Sequence, residues 1–205
     1  MKYSFIFGFL IFSSLEQIHA QSSYMRLGQK ALFDGDFKNA VTSLEKACIT
    51  DSTNANALWM LGYSYLLSDS YKKSIVTYSK LISLKPADAS AYYYRARAKS
   101  HLAKDNAIPA AEKEKNFLGS ILDFTKAISL NPDLKNYQNR GIVYKDYGTF
   151  KLIKSTGFYD RNRAANAFHA SVADFQKVLD ADPSRHDVAS LLDLSKEQLN
   201  LIHRK

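Results

Sequence analysis

Few side chains in this 205-residue chain could carry covalent or metal chemistry, and their spacing argues against both. His101, His169, His186 and His203 stand apart, with no pair at the spacing that would bring two imidazoles onto one metal ion. Cys48 is the single cysteine, so no internal disulfide forms. It lies in "LEKACIT", an amphipathic helical stretch without a His or second Cys nearby, and reads as a small buried apolar residue rather than a reactive thiol. "YDRNR" places Asp160 between Tyr159 and Arg161, but one carboxylate is not an acid/base pair. Gly-rich phosphate loops, HExxH and a nucleophile elbow are all missing from the sequence. The expectation is a protein that is not an enzyme and needs no cofactor or metal.

Binding chemistry is better represented. The formal charge is +8, which favours anionic partners or surfaces. Seven cations lie between positions 135 and 163: Lys135, Arg140, Lys145, Lys151, Lys154, Arg161 and Arg163, against Asp146 and Asp160. Phe150, Phe158 and Tyr159 are interleaved with them. One reading is a solvated charged loop. The other is a basic surface, centred on Lys145, Lys151, Lys154, Arg161 and Arg163, for an acidic protein, an anionic glycan or a lipid headgroup.

The elements that position these residues follow from the pattern of the chain. The first residues, "MKYSFIFGFLIFSSLEQIHAQSS", carry Lys2, then an apolar stretch from Tyr3 to Leu15, then Ala20 before Gln21. That layout predicts a secretory signal peptide over residues 1–20, because 13 apolar residues fall short of the roughly 20 that span a bilayer core. Export to a periplasmic or extracellular space is therefore expected, and nucleic acid is disfavoured as a partner. A membrane surface stays open as a partner, without a span once the leader is removed. With 46% apolar and 23% charged residues, the remaining chain is expected to fold rather than stay disordered.

Gly28, Gly62 and Ala96 recur at steps of 34 residues, and Gly141 starts a fourth copy. Tyr24, Leu58, Tyr92 and Tyr137 precede these small residues by four, while Ala31, Tyr65, Lys99 and Tyr144 follow by three. A second helical pattern closes each copy: Ala40, Leu44 and Ala47; Ser74, Tyr78 and Leu81; Ser120, Phe124 and Ala127; Ser171, Phe175 and Val178. Spacings of four and three put each trio on one helical face. Pro86, Pro132 and Pro183 follow the last three trios, as residues that cannot continue a helix.

On these residues the chain resembles the tetratricopeptide repeat family, whose 34-residue helix-turn-helix reads W-x2-L-G-x2-Y, then A-x3-F, then P. The second copy matches in register through Leu58, Leu61, Gly62, Tyr65, Ser74, Tyr78 and Pro86. The resemblance implies an all-α fold: a right-handed superhelical array of antiparallel helix pairs, an α-solenoid. Its repeats are expected over about 21–54, 55–88, 89–133 and 134–184, with a capping helix over 185–203. The small residues pair as close helix crossings, Gly28 with Ala40, Gly62 with Ser74, Ala96 with Ser120 and Gly141 with Ser171.

Departures from the family pattern occur at Ser52 in place of the first terminal proline, at Lys99, and at Leu81 and Val178 where alanine is usual. Two insertions break the period. Gly141 follows Ala96 by 45 residues, and the excess falls near 104–115, where Pro109 before "AAEKEK" predicts a second helix lengthened at its N-terminal end. The other insertion, near 148–168, is expected to be a loop around Gly148 and Gly157, followed by a helix that begins at "RNRAANAFHA".

By resemblance, the first helix of each pair lines the concave face of the superhelix, so Met25, Gln29, Trp59, Tyr63, Tyr93, Arg97 and Gln138 form the expected partner-binding surface. Aromatics with an Arg suit a peptide or helix of a protein partner. Trp59 and Tyr93 could instead fill gaps between stacked repeats. Some family members clamp a peptide's terminal carboxylate with Lys and Asn; here Met25, Gln29, Trp59 and Tyr63 stand at those positions, so that activity is not implied.

Overall fold

The computed structural model describes residues 23–204. The expected signal peptide lies outside the described residues. Among the described residues the chain is all α, without a strand, and no helix is long and apolar enough to cross a membrane. It divides into two compact units, one ending at Pro86 and one beginning at Ala87.

The first unit holds α1 (23–33), α2 (Phe37–Thr50), α3 (Ala55–Leu67) and α4 (Tyr71–Leu84). Gly35, at φ +76°, makes the turn from α1 to α2, a conformation that favours glycine. Asp36 and Asn54 cap α2 and α3 by accepting the backbone N–H groups of Asn39 and Ala57. Ala40, Leu44, Leu61 and Tyr65 form the core, with Met25, Ala31 and Leu32 of α1 packed against it.

The second unit holds α5 (Ala89–Lys104), α6 (Ala110–Leu130), α7 (Leu134–Lys151), a short 3-10 helix (Lys154–Thr156), α8 (Arg161–Ala181) and α9 (His186–His203). Consecutive helices pack in turn, α5 on α6, α6 on α7, α7 on α8 and α8 on α9. Asp88, Asp133 and Asp160 cap α5, α7 and α8 through their side chains, and Pro109 precedes α6 as expected.

The close crossings are as expected in two hairpins: Ser74 Oγ donates to the Gly62 carbonyl and Ser120 Oγ to the Ala96 carbonyl, each at 2.8 Å. The steric demand for glycine comes from a different neighbour, one turn further along the second helix. A Cβ on Gly62 would stand 2.8 Å from Tyr78 Cε2; on Gly28, 2.5 Å from Leu44 Cγ; on Gly141, 2.8 Å from Phe175 Cε1. In the fourth hairpin Ser171 pairs instead with Ser195 of α9, at 3.0 Å.

The insertions lengthen both helices of their hairpins. The α3 and α4 helices run 13 and 14 residues, whereas α5 and α6 run 16 and 21, and α7 and α8 run 18 and 21. Gly148, expected in a loop, therefore lies within α7. It is helical because it repeats the packing of Gly141: a Cβ there would stand 2.9 Å from Phe168 Cε2, seven residues along α7 and seven back along α8. Seven residues are about two turns, so antiparallel helices bring both pairs into contact.

The extra turns of the two insertions also pack on each other. Phe117 of α6 meets Tyr147 and Phe150 of α7 with ring centroids 6.0 and 5.7 Å apart, and Phe150 meets Phe158 at 6.1 Å. Each buried side chain of this kind contributes about 1.5–3 kcal/mol relative to exposure. Glu114 closes the cluster. Its Oε1 accepts from Tyr147 Oη at 2.9 Å, Lys151 Nζ at 3.2 Å and Arg163 Nη1 at 3.4 Å.

Candidate partner-binding surfaces

In the first unit, Trp59 and Tyr63 of α3 are half-buried and stack on each other, with centroids 5.4 Å apart and planes at 28°. They lie one turn apart on the helix, so the same side chains that stack also share a face. Gln29 is exposed, while Met25 is half-buried and packs against the Ala40–Leu44 core, which gives it a structural load as well as a candidate binding one.

In the second unit, Tyr93 of α5 sits edge-on to the buried Phe124 ring at 5.7 Å. Its face carries two cations: Arg97 lies 5.8 Å and Lys135 5.5 Å from the ring centroid. Arg97 also lies 5.9 Å from the Tyr94 ring. Such contacts hold an aromatic ring and a guanidinium in fixed register at a half-exposed surface. Gln138 of α7 is engaged with the start of α9, where its Oε1 accepts from Arg185 at 3.0 Å and its Nε2 donates to Asp187 at 3.5 Å. Arg185 also pairs with Asp187 and holds that carboxyl at about 2, well below its usual range. Tyr93 thus packs on the core through Phe124 while its ring carries two cations.

Most of the expected basic surface is internally paired. Lys151 does not lie on the surface: it is 3% exposed, pairs with Glu114 and lies over the Phe158 ring at 5.7 Å. The reason is the lengthening of α7, which carries position 151 into the insertion core instead of a loop. Burial and the hydrogen bond to Glu114 push the adjacent Tyr147 hydroxyl up to about 12. Lys145 pairs with Asp146 at 2.9 Å, and Arg163 with Glu114 and with Asp160 at 3.3 Å. Lys154 is exposed beside Tyr159, and Arg161 donates to the Ile202 carbonyl.

Two buried carboxylates that the sequence pattern does not single out organise the second unit. Asp123 of α6 receives Arg95 in bidentate fashion, Nε at 2.8 Å and Nη2 at 2.6 Å, together with Lys99 Nζ at 2.7 Å. Asp174 of α8 receives Arg140 through Nε and Nη2, both at 2.8 Å, while Arg140 Nη1 reaches Thr125 at 2.9 Å. The hydrogen bonds to Asp174 raise the Arg140 pKa above its ordinary value. These pairs occupy equivalent repeat positions, Arg before Ala96 and Gly141, Asp before Phe124 and Phe175. The doubled "DF" at 123–124 and 174–175 is the signal that could have found them. Lys99, a departure from the family pattern, is explained as the second cation on Asp123.

Among the described residues no group of His, Cys, Asp and Glu is placed to hold a metal ion. Cys48 is half-buried, and burial pushes its thiol up to about 11.

The fold defines an all-α protein of packed helical hairpins of the α-solenoid class. Residues 55–88 match the family model of the tetratricopeptide repeat. No curated protein sequence matches the chain. Among solved structures, the chain is similar to MamA residues 41 to the end from Desulfovibrio magneticus RS-1, at 19% identity over 80% of this chain and 77% of that one, with a TM-score of 0.61. PilF of Pseudomonas aeruginosa is 17% identical over 92% of this chain and 74% of its own, with a TM-score of 0.54. A thermophilic TPR protein of Thermus thermophilus is 18% identical over 85% of this chain and 98% of its own, at a TM-score of 0.52. These likenesses are likenesses of fold.

Proposed function

We propose that the chain is an exported scaffold of the tetratricopeptide type, which holds a peptide or helix of another protein on the exposed faces of its first helices and does no catalysis of its own. The carrying observation is the set of half-buried aromatics on those helices, above all Tyr93 with Arg97 and Lys135 against its ring. Aromatic and Arg side chains of this kind concentrate binding energy because they combine apolar area with directed donors. Trp59 and Tyr63 supply a comparable surface in the first unit. The alternative, attachment to an anionic polymer through residues 135–163, has less support, since Arg140, Lys145, Lys151 and Arg163 spend their charge on Asp174, Asp146, Glu114 and Asp160.

A partner captured from the exported fraction tests the reading. Trp59→Ala and Tyr93→Ala are each expected to weaken its binding by roughly 2 kcal/mol, the scale of an interface hot spot. Melting curves accompany both variants, because Tyr93 also packs on Phe124. Full-strength binding by folded variants, or binding that depends on Lys154 and fades with salt, would overturn the assignment.

A further inference from the structure

The connection from α7 to α8 and the last turns of α9 enclose an open cavity of about 250 Å³. Leu152, Leu201 and Ile202 supply apolar wall, and Lys154, Arg161 and Gln198 supply donors. Leu201 is 45% exposed, so apolar surface faces this space without a cover.

The charges here are unlike those elsewhere in the insertion. Lys145, Lys151 and Arg163 all have carboxylate partners. Among the described residues, Lys154 and Arg161 have no carboxylate at ion-pair distance, and both line the cavity. Arg161 Nη2 donates to the Ile202 carbonyl in the last turn of α9, which fixes the guanidinium at the cavity wall. A guanidinium has five N–H donors, so others remain for a second acceptor. Lys154 Nζ rests over the Tyr159 ring at 6.0 Å, which holds the second cation close by.

We propose that this cavity binds an aliphatic carboxylate, with the carboxylate between Lys154 and Arg161 and the hydrocarbon against Leu152, Leu201 and Ile202. Two neighbouring cations exclude a cationic ligand. The apolar wall of Leu152, Leu201 and Ile202 suits an anion that carries a hydrocarbon chain rather than inorganic phosphate. The planar guanidinium matches a carboxylate, and the Gln198 amide adds a neutral donor. At about 250 Å³ and open to solvent, the cavity has room for a carboxylate on a short hydrocarbon chain. A fatty acid and the C-terminal residue of a peptide share this chemistry. The proposal stands independently of the first-helix reading, because its residues belong to other elements.

The test is titration of the isotope-labelled protein with hexanoate, followed by backbone amide NMR. Saturable shifts are expected at residues 152–161 and 198–203, with hexan-1-ol binding at least about ten-fold more weakly because it lacks the charge-assisted bonds. Lys154→Gln is expected to weaken hexanoate about ten-fold at an unchanged melting temperature. It carries the test because Arg161→Gln also releases the end of α9. Octanoate and N-acetyl-leucine then separate the sources: the tighter of the two identifies a lipid-derived or a peptide-derived carboxylate. Absence of saturable shifts, equal binding of the alcohol, or full-strength binding by Lys154→Gln would overturn the proposal.

Discussion

Replacing Asp123 with Ala removes one anion and leaves two cations, Arg95 and Lys99, facing each other inside the α5–α6 hairpin. Asp123 is 6% exposed at its side chain, and Arg95 and Lys99 are 18% and 19% exposed. Breaking a buried ion pair from one side costs about 3–5 kcal/mol because the remaining charge loses its compensation. Water reaches part of both cations, so the expected loss here is about 2–4 kcal/mol. For a unit of this size that lowers the melting temperature by roughly 10 °C. Urea unfolding resolves it with two probes. The single tryptophan, Trp59, lies in the first unit, so its fluorescence reports that unit, whereas far-UV circular dichroism reports both. The loss should appear in the circular dichroism and not in the fluorescence transition of the first unit. A companion variant, Arg95→Met with Lys99→Met and Asp123→Leu, replaces the network with apolar side chains of similar size and is expected within about 1 kcal/mol of the parent, or above it. If Asp123→Ala costs less than about 1 kcal/mol, or the triple variant is as damaged as the single one, the reasoning fails.

Gly148→Ala is expected to destabilise the second unit by about 1 kcal/mol: overpacking against the fully buried Phe168 costs about 1–3 kcal/mol, and the helix-propensity gain of about 1 kcal/mol offsets part of it. A stabilised variant in urea unfolding would show that residue 148 is not held against α8. Cys48, with its thiol pushed up to about 11 from 9.0 by burial, is expected to react with iodoacetamide at pH 8 about 100-fold more slowly than in the unfolded chain. The linkage has a definite sign: the unfolded thiol ionises first, so this contribution to stability is complete below about pH 9 and is lost as pH rises towards about 11. Equal alkylation rates in the folded and urea-unfolded protein would contradict it.

The helical hairpins are legible in the sequence because small residues at a fixed period can serve only one purpose in such a pattern, the close approach of two helices. The stagger between those helices is not. Ser74 and Tyr78 share a face of α4, and only the axial offset of α3 decides that the Gly62 Cα lies under the Tyr78 ring while Ser74 bonds its carbonyl. Gly148 misleads because glycine is a turn signal when seen alone. Beside Phe168 it repeats the Gly141–Phe175 pair at an equal step along both helices, a two-helix pattern that a one-dimensional window does not show.

The basic stretch misleads for the same reason. Counting from 135 to 163 sets seven cations against two carboxylates, yet Glu114 lies 37 residues before Lys151 and Asp174 lies 34 after Arg140. Folding brings both to the cations, so charge along the chain overstates charge on the surface. What the pairing leaves over, Lys154 and Arg161, is a smaller set that the sequence does not distinguish from its neighbours. Both residues stand at one cavity beside the exposed Leu201 side chain. The ligand chemistry therefore has to be sought in that remainder and its apolar surroundings, and an amphiphilic anion fits it better than the polyanion that the full cation count suggests.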